Sequence, residues 1–128
     1  MKKVGILYVD DSPAQLESLR RNLTGGPYDV WTATTARSAE KYMSDADIVI
    51  IDYNMPGVNG AEALVQLRKL APEEKQIRYY MYTTDPEAFR KHKDMGFDGV
   101  LMLKGKAGVR NQIDAVVRAL KLTRWNAA

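Results

Sequence analysis

Short apolar runs alternate along the chain with longer stretches in which apolar residues recur every three or four positions. The short runs are rich in β-branched and aromatic residues, which favours buried β-strands. Each longer stretch carries one apolar stripe, which is typical of a helix that covers a core. The pattern predicts five strands, at residues 4–9, 29–34, 48–51, 77–82 and 99–103.

Each predicted strand is followed by a helix whose ends carry recognisable capping residues. Ser12 is a good N-cap, Pro13 suits the first helical position, and Gly25 suits the end of the first helix. Further helices are predicted at residues 36–43, 61–70, 86–95 and from 109 onward. The apolar stripe of the last helix consists of Val109, Ile113, Val116, Val117 and Leu120.

Strict alternation of strands and helices predicts an α/β fold with a parallel sheet that is covered on both faces. Five such units are too few for a closed eight-stranded barrel, so we expect an open, doubly wound five-stranded sheet. The chain of 128 residues suits one domain, spanning 1–128. In sheets of this kind the ligand site lies beyond the carboxyl ends of the strands.

Composition narrows the classes of protein that the chain can belong to. It is 45% hydrophobic and 27% charged, as ordinary globular proteins are. It has no cysteine, which excludes disulfides, thiolate metal sites and cysteine nucleophiles. The net charge of +3 is spread along the chain, which favours a plain solvated surface over a nucleic-acid site. We expect a cytoplasmic protein with no membrane contact, because no apolar run is long enough to span a bilayer.

Polar residues stand where the predicted strands end, and the fold would bring them to one edge of the sheet. They are Asp10 and Asp11 after the first strand, Asp52 after the third, Thr83 and Thr84 after the fourth, and Lys104 after the fifth. Clustered carboxylates repel one another unless a cation lies among them, and oxygen ligands favour Mg²⁺. An aspartate can act as a nucleophile towards phosphorus, while a lysine and a hydroxyl can bind phosphate oxygens.

The same residues carry a family resemblance over the whole chain. The pair Asp10-Asp11, the stretch Asp52-Tyr53-Asn54-Met55-Pro56-Gly57, Thr83 and Lys104 occur in an order that resembles receiver domains of two-component signalling. The chain looks most similar to the single-domain chemotaxis type, whose fold is flavodoxin-like. The resemblance implies a switch that accepts a phosphoryl group from a sensor histidine kinase or phosphotransfer protein. It implies a downstream protein target, and a monomer or weak homodimer.

The resemblance also implies a role for each matching residue. Asp52 is the phosphoacceptor, Asp11 and Asp52 bind Mg²⁺ directly, and Asp10 holds the metal through water. The backbone carbonyl of Asn54 completes the metal ligands that the protein supplies. Thr83 corresponds to the switch hydroxyl, with Thr84 as the alternative, and Lys104 to the phosphate-binding lysine. Such a domain catalyses only its own phosphorylation and dephosphorylation, so it is not an enzyme with an external substrate.

Two departures from the family pattern leave an alternative open. Gly105 stands where proline usually follows the lysine, and residues 100–103 lack the usual Tyr or Phe. A pseudo-receiver, which binds proteins without being phosphorylated, would account for both departures. An aspartyl-phosphate hydrolase is the third hypothesis, but Asn54 stands where such enzymes carry a second acid. Taken singly, Asp10 and Asp11 could cap a helix, and Lys104 could be an ordinary surface lysine.

Overall fold

The computed structural model describes residues 3–102 and 108–120, and within these ranges the chain forms five strands and five α-helices. The strands are β1 (Val4–Val9), β2 (Tyr28–Ala33), β3 (Ile48–Asp52), β4 (Arg78–Thr83) and β5 (Gly99–Met102). The helices are α1 (Pro13–Leu23), α2 (Ala36–Ala39), α3 (Gly60–Leu70), α4 (Pro86–Lys91) and α5 (Val109–Leu120). Strands and helices alternate along the chain as the sequence pattern predicts.

The five strands form one sheet in the order β2-β1-β3-β4-β5, and every neighbouring pair is parallel. The predicted open parallel sheet is therefore confirmed. β1, β3 and β4 each have a partner on both sides, whereas β2 and β5 form the edges. Because all strands run the same way, their carboxyl ends lie along one edge of the sheet.

The sheet separates two hydrophobic clusters, which explains why the central strands are apolar on both faces. On one face, Ile6 and Tyr8 of β1 pack with side chains of α1 and α5. On the other face, Leu7 and Val9 pack with side chains of α2, α3 and α4. Successive side chains of a strand point to opposite faces, so Tyr8 and Asp10 lie on the same side of the sheet.

The first helix begins as its capping residues predict. The Ser12 hydroxyl accepts a hydrogen bond from the amide of Gln15 at 3.3 Å, and Pro13 occupies the first helical position. Leu16, Leu19 and Leu23 are the buried residues of α1. None of the helices in the described ranges is long and apolar enough to cross a membrane.

Two helices are shorter than the sequence pattern predicts. The helix predicted over residues 36–43 is α2 followed by one 3-10 turn, Glu40–Tyr42, so its last part is wound more tightly. The prediction that the fourth helix extends to about Met95 is wrong, because α4 ends at Lys91. Beyond it the amide of Phe97 bonds to the carbonyl of His92 at 3.0 Å, and Gly96 adopts a φ of 100°. This reversal brings Phe97, which is 3% exposed, into the core.

Candidate functional site

The acidic residues of the site are brought together by the pairing of β1 with β3. Val9 pairs with Ile51, so Asp10 and Asp52 follow at the same level at the carboxyl edge of the sheet. Asp52 in turn pairs with Tyr82 of β4, which places Thr83 one position further along the neighbouring strand. The register of three central strands therefore positions these side chains, although they lie far apart in the sequence.

Asp10, Asp11 and Asp52 form a carboxylate cluster in which one oxygen from each residue lies within 4.8 Å of the others. Asp10 is fully buried and Asp52 is 5% exposed, whereas Asp11 is exposed to solvent. A cluster of carboxylate oxygens that is open to solvent on the Asp11 side suits Mg²⁺, which prefers oxygen ligands and keeps several waters. The donor set therefore fits the metal that the sequence pattern implies.

Burial and mutual repulsion change the acidity of Asp52. Two effects raise the pKa of Asp52 to about 6: the larger is desolvation by burial, and the second is the negative charge of the neighbouring Asp10. The amide of Asn54 acts in the opposite direction, because it donates a hydrogen bond to Asp52 Oδ1 at 3.3 Å. At neutral pH Asp52 is thus mainly an anion in a place that disfavours anions, so a cation among the three carboxylates would stabilise it.

Asp10 is held in place by hydrogen bonds that involve both its backbone and its side chain. Its own amide donates to the carbonyl of Ala33 at 3.1 Å, which extends the pairing of β1 with β2. The amide of Ser12 donates to Asp10 Oδ1 at 2.9 Å. The hydroxyl of the buried Tyr8 donates to the other carboxylate oxygen, Oδ2. Sequence reasoning missed Tyr8, which it treated only as part of an apolar strand.

Tyr8 remains a neutral donor in this position. Its burial, together with the hydrogen bond to Asp10 and the charge of that carboxylate, raises the pKa of the Tyr8 phenol above its ordinary value. The Tyr8 ring meets the ring of Tyr82 edge to face, with centroids 5.6 Å apart and planes 74° apart. The spacing of Tyr8 and Asp10, two residues apart on one strand, was the available signal for this contact.

Thr83 connects the site to the start of α4. Its side chain is fully buried, and its Oγ1 accepts a hydrogen bond from the amide of Asp85 at 2.9 Å. Asp85 is the N-cap of α4, and its carboxylate accepts from the amide of Glu87 at 2.9 Å. Thr84 is exposed, so of the two threonines Thr83 is the one that lies inside the fold.

The loop after Asp52 is closed against the sheet by backbone hydrogen bonds. The amide of Tyr53 donates to the carbonyl of Tyr82 at 3.1 Å, and the amide of Gly60 donates to the carbonyl of Tyr53 at 3.0 Å. Asn54 lies in this loop, next to the carboxylate cluster in sequence, with an exposed side chain. Lys104, the predicted phosphate-binding residue, lies outside the described residues.

The family of the chain follows from a comparison with protein-family models. The model described as the response regulator receiver domain matches residues 6–117. The chain belongs to the response regulator receiver domain family. Receiver domains are signalling modules of two-component systems, which work with histidine kinases and downstream effectors, and they typically use Mg²⁺ at a cluster of acidic residues. The resemblance that the motif around Asp52 carries is therefore confirmed.

Several curated proteins are similar to this receiver. The transcriptional regulatory protein KdpE of Mycobacterium tuberculosis is 38% identical over 65 residues, which cover 49% of this chain and 29% of KdpE. The sensor protein EvgS of Escherichia coli O157:H7 is 32% identical over 96 residues, 73% of this chain and 8% of EvgS. The chemotaxis protein CheY of Thermotoga maritima is 37% identical over 75 residues, 56% of this chain and 62% of CheY. The match thus spans less than two thirds of each of these relatives.

Solved structures support the same fold. Chemotaxis protein CheY4 of Vibrio cholerae has a TM-score of 0.70 with 25% identity, and the match covers 91% of this chain and 98% of CheY4. The signal receiver domain of the response regulator NarL from Mycobacterium tuberculosis has a TM-score of 0.72 with 24% identity, and the match covers 94% and 98% of the two chains. The doubly wound sheet and its helices are thus those of a CheY-like receiver.

Proposed function

We propose that this receiver is a phosphorylation-dependent signalling switch in which Asp52 accepts a phosphoryl group from a histidine of a sensor kinase or phosphotransfer protein. The observation that carries the proposal is the carboxylate cluster of Asp10, Asp11 and Asp52 at the carboxyl edge of the sheet. Two of these carboxylates, Asp10 and Asp52, are buried, and none of the ion pairs found among the described residues involves either of them. A site with this much negative charge suits a divalent cation, which would also offset the negative charge of an incoming phosphoryl group.

The transfer forms one bond and breaks another. An oxygen of the Asp52 carboxylate attacks phosphorus, the bond from phosphorus to the histidine nitrogen breaks, and the imidazole leaves. The product is an acyl phosphate on Asp52. Later attack by water on phosphorus releases inorganic phosphate and returns the carboxylate. No external substrate is turned over, so the domain acts only on itself.

Asp11 and Asp52 would bind Mg²⁺ directly, Asp10 would hold it through water, and the carbonyl of Asn54 would complete the protein's share. The bound metal supplies positive charge that offsets the negative charge of the transferring phosphoryl group. The exposure of Asp11 leaves one side of the cluster open to water and to a phosphodonor. The burial of Asp10 and Asp52 fixes their carboxylates against the sheet.

Thr83 and Lys104 would bind the phosphoryl oxygens of phosphorylated Asp52. The Thr83 oxygen already accepts from the amide of Asp85, and no hydrogen bond within residues 3–102 and 108–120 uses its hydroxyl proton. Turning that hydroxyl towards the phosphate would alter its bond to Asp85, the N-cap of α4. We propose that this link conveys the signal to the surface around α4, where a downstream protein would bind. Cytoplasmic location, and a monomer or weak homodimer, belong to the same proposal.

The test is intact-mass measurement after incubation with acetyl phosphate and Mg²⁺. The wild-type protein should gain one phosphate, and it should gain none when EDTA replaces Mg²⁺. Asp52→Asn should gain none under either condition, whereas Asp29→Asn, an exposed acid on β2, should behave as wild type. If the folded wild-type protein gains no phosphate, the proposed function fails. A pseudo-receiver that binds partners without modification would then be the better hypothesis.

A further inference from the structure

Tyr8 has a fixed orientation beside the carboxylate cluster. The residue lies in β1, two positions before Asp10, and is fully buried. Its hydroxyl donates to Asp10 Oδ2, while the other nearby acceptor, Gln15 Oε1, is 3.4 Å away. A phenol has one proton to donate, so the closer carboxylate oxygen receives it. The Tyr8 ring also packs edge to face against the ring of Tyr82 in the same hydrophobic cluster.

The two hydrogen bonds to Asp10 determine where its free lone pairs point. Ser12 donates to Oδ1 and Tyr8 donates to Oδ2, so each carboxylate oxygen has one protein donor. A carboxylate has about four acceptor positions. The positions that Ser12 and Tyr8 do not use remain available to the carboxylate cluster. Because Tyr8 is itself fully buried, solvent water has no direct access to the side of Asp10 on which a lost Tyr8 donor would have to be replaced.

We propose that Tyr8 is a positioning residue for the metal site, whose hydroxyl orients the Asp10 carboxylate so that the carboxylate cluster is ready to bind Mg²⁺. The inference rests on the proposed function and adds a residue that the receiver motif does not include. Residues that hold a ligating carboxylate from behind commonly affect metal affinity by about 10- to 100-fold when they are changed. Asp10 would act through water, so we expect the lower end of that range.

A second buried tyrosine provides a matched control. The hydroxyl of Tyr28 donates to Asp114 of α5, so it too is a tyrosine bonded to an aspartate. Tyr28 is the first residue of β2 and pairs with Val4, at the end of the sheet opposite the carboxylate cluster. Tyr28→Phe therefore removes the same kind of hydrogen bond as Tyr8→Phe without touching the site.

The experiment measures Mg²⁺ binding by calorimetry and the Mg²⁺ concentration that gives half the maximal rate of phosphorylation by acetyl phosphate. Tyr8→Phe should weaken Mg²⁺ binding about tenfold and raise the half-saturating concentration by a similar factor. The rate at saturating Mg²⁺ should stay near that of wild type. Tyr28→Phe should leave both Mg²⁺ values unchanged. A purely structural role of Tyr8 would instead lower the amount of active protein without changing the half-saturating concentration.

Removing the hydroxyl also frees Asp10 Oδ2 from a donor that competes with a cation for that oxygen, which acts in the opposite direction. Equal or tighter Mg²⁺ binding by Tyr8→Phe would therefore overturn the inference while leaving the proposed function intact. No Mg²⁺ binding by the wild-type protein would overturn the proposed function itself. If Tyr8→Phe does not fold, the hydroxyl proton resonances of the wild-type protein provide the test. Mg²⁺ should shift that of Tyr8 and leave that of Tyr28 in place, and an unmoved Tyr8 resonance would overturn the inference.

Discussion

Replacement of Asp52 by asparagine is expected to stabilise the metal-free protein at neutral pH, although it removes the phosphoacceptor. Burial, followed by the charge of Asp10, raises the pKa of Asp52 from 3.8 in the unfolded chain to about 6 in the folded protein. Between these values the folded protein binds more protons than the unfolded chain. The free energy of unfolding therefore falls as the pH rises through this interval. An asparagine side chain has no charge, so the free energy of unfolding of Asp52→Asn does not fall for this reason as the pH rises.

The magnitude follows from the same two values. Each pH unit by which a pKa differs between the folded and unfolded states is equivalent to about 1.4 kcal/mol. The rise in the pKa of Asp52 from 3.8 to about 6 thus lowers the free energy of unfolding of the wild-type protein by about 3 kcal/mol above neutral pH. An amide keeps the shape of the carboxyl group and an oxygen that can accept from the amide of Asn54. We therefore expect Asp52→Asn to gain about 2–3 kcal/mol in free energy of unfolding at about pH 7.5.

The assay is urea unfolding in EDTA at several pH values between about 4 and about 7.5, with ΔG from linear extrapolation. The advantage of Asp52→Asn should shrink to below about 1 kcal/mol as the pH approaches about 4, where the wild-type carboxyl is protonated in the folded protein and partly protonated in the unfolded chain. Asp29→Asn, exposed on β2, should stay within about 0.5 kcal/mol of wild type throughout. Mg²⁺ at about 100 times its Kd should stabilise the wild type by about 2.7 kcal/mol. It should stabilise Asp52→Asn much less.

Two results would refute this reasoning. The first is that Asp52→Asn is less stable than wild type in EDTA at neutral pH, which would mean that the carboxylate makes more favourable contacts than its burial costs. The second is that the two proteins keep the same difference in stability at every pH. In that case the change would reflect altered packing, and the ionisation of Asp52 would not be its cause.

Two further substitutions test the loop and the core. Gly60→Ala should cost about 1–3 kcal/mol and weaken Mg²⁺ binding. The added Cβ would lie 2.8 Å from the Cα of Tyr53 and 3.2 Å from the carbonyl oxygen of Asp52, whereas in the control Gly108→Ala it meets nothing within 4 Å. An equal loss in both variants would contradict this. Leu64→Ala, at 1% exposure, should lose about 2–5 kcal/mol in urea unfolding. Val65→Ala, at 52% exposure, should lose less than about 1 kcal/mol, and similar losses would argue against the assigned burial of α3.

The strands were predictable because their apolar runs are short and are bounded by polar residues, whereas their ends depend on pairing. β2 begins at Tyr28, one residue earlier than the pattern predicts, because Tyr28 pairs with Val4 of β1. β4 includes Thr83 because that residue pairs with Met102 of β5. A residue's partner on the next strand is not visible in its own sequence neighbourhood, so these boundaries could not be read from the pattern.

The carboxylate cluster was predictable because the topology requires strand ends to meet, and Asp10, Asp11 and Asp52 do lie together. Their chemical roles, and those of Asn54, Thr83 and Lys104, stay predictions. The hydroxyl bond from Tyr8 was not anticipated, since a tyrosine in an apolar strand serves equally well as a packing residue. Nor was the early end of α4 at Lys91, because it depends on the burial of Phe97 beyond the helix.

The position of β1 and β3 inside the sheet has a consequence for hydrogen exchange. Both strands have hydrogen-bonded neighbours on each side, and all their residues are buried. Amides in such strands exchange with solvent mainly when the whole domain opens, because no local fraying exposes them. Asp10 directly follows one of these strands and Asp52 ends the other. The acidic site is thus anchored to the slowest-exchanging part of the domain, and its geometry should persist until global unfolding begins.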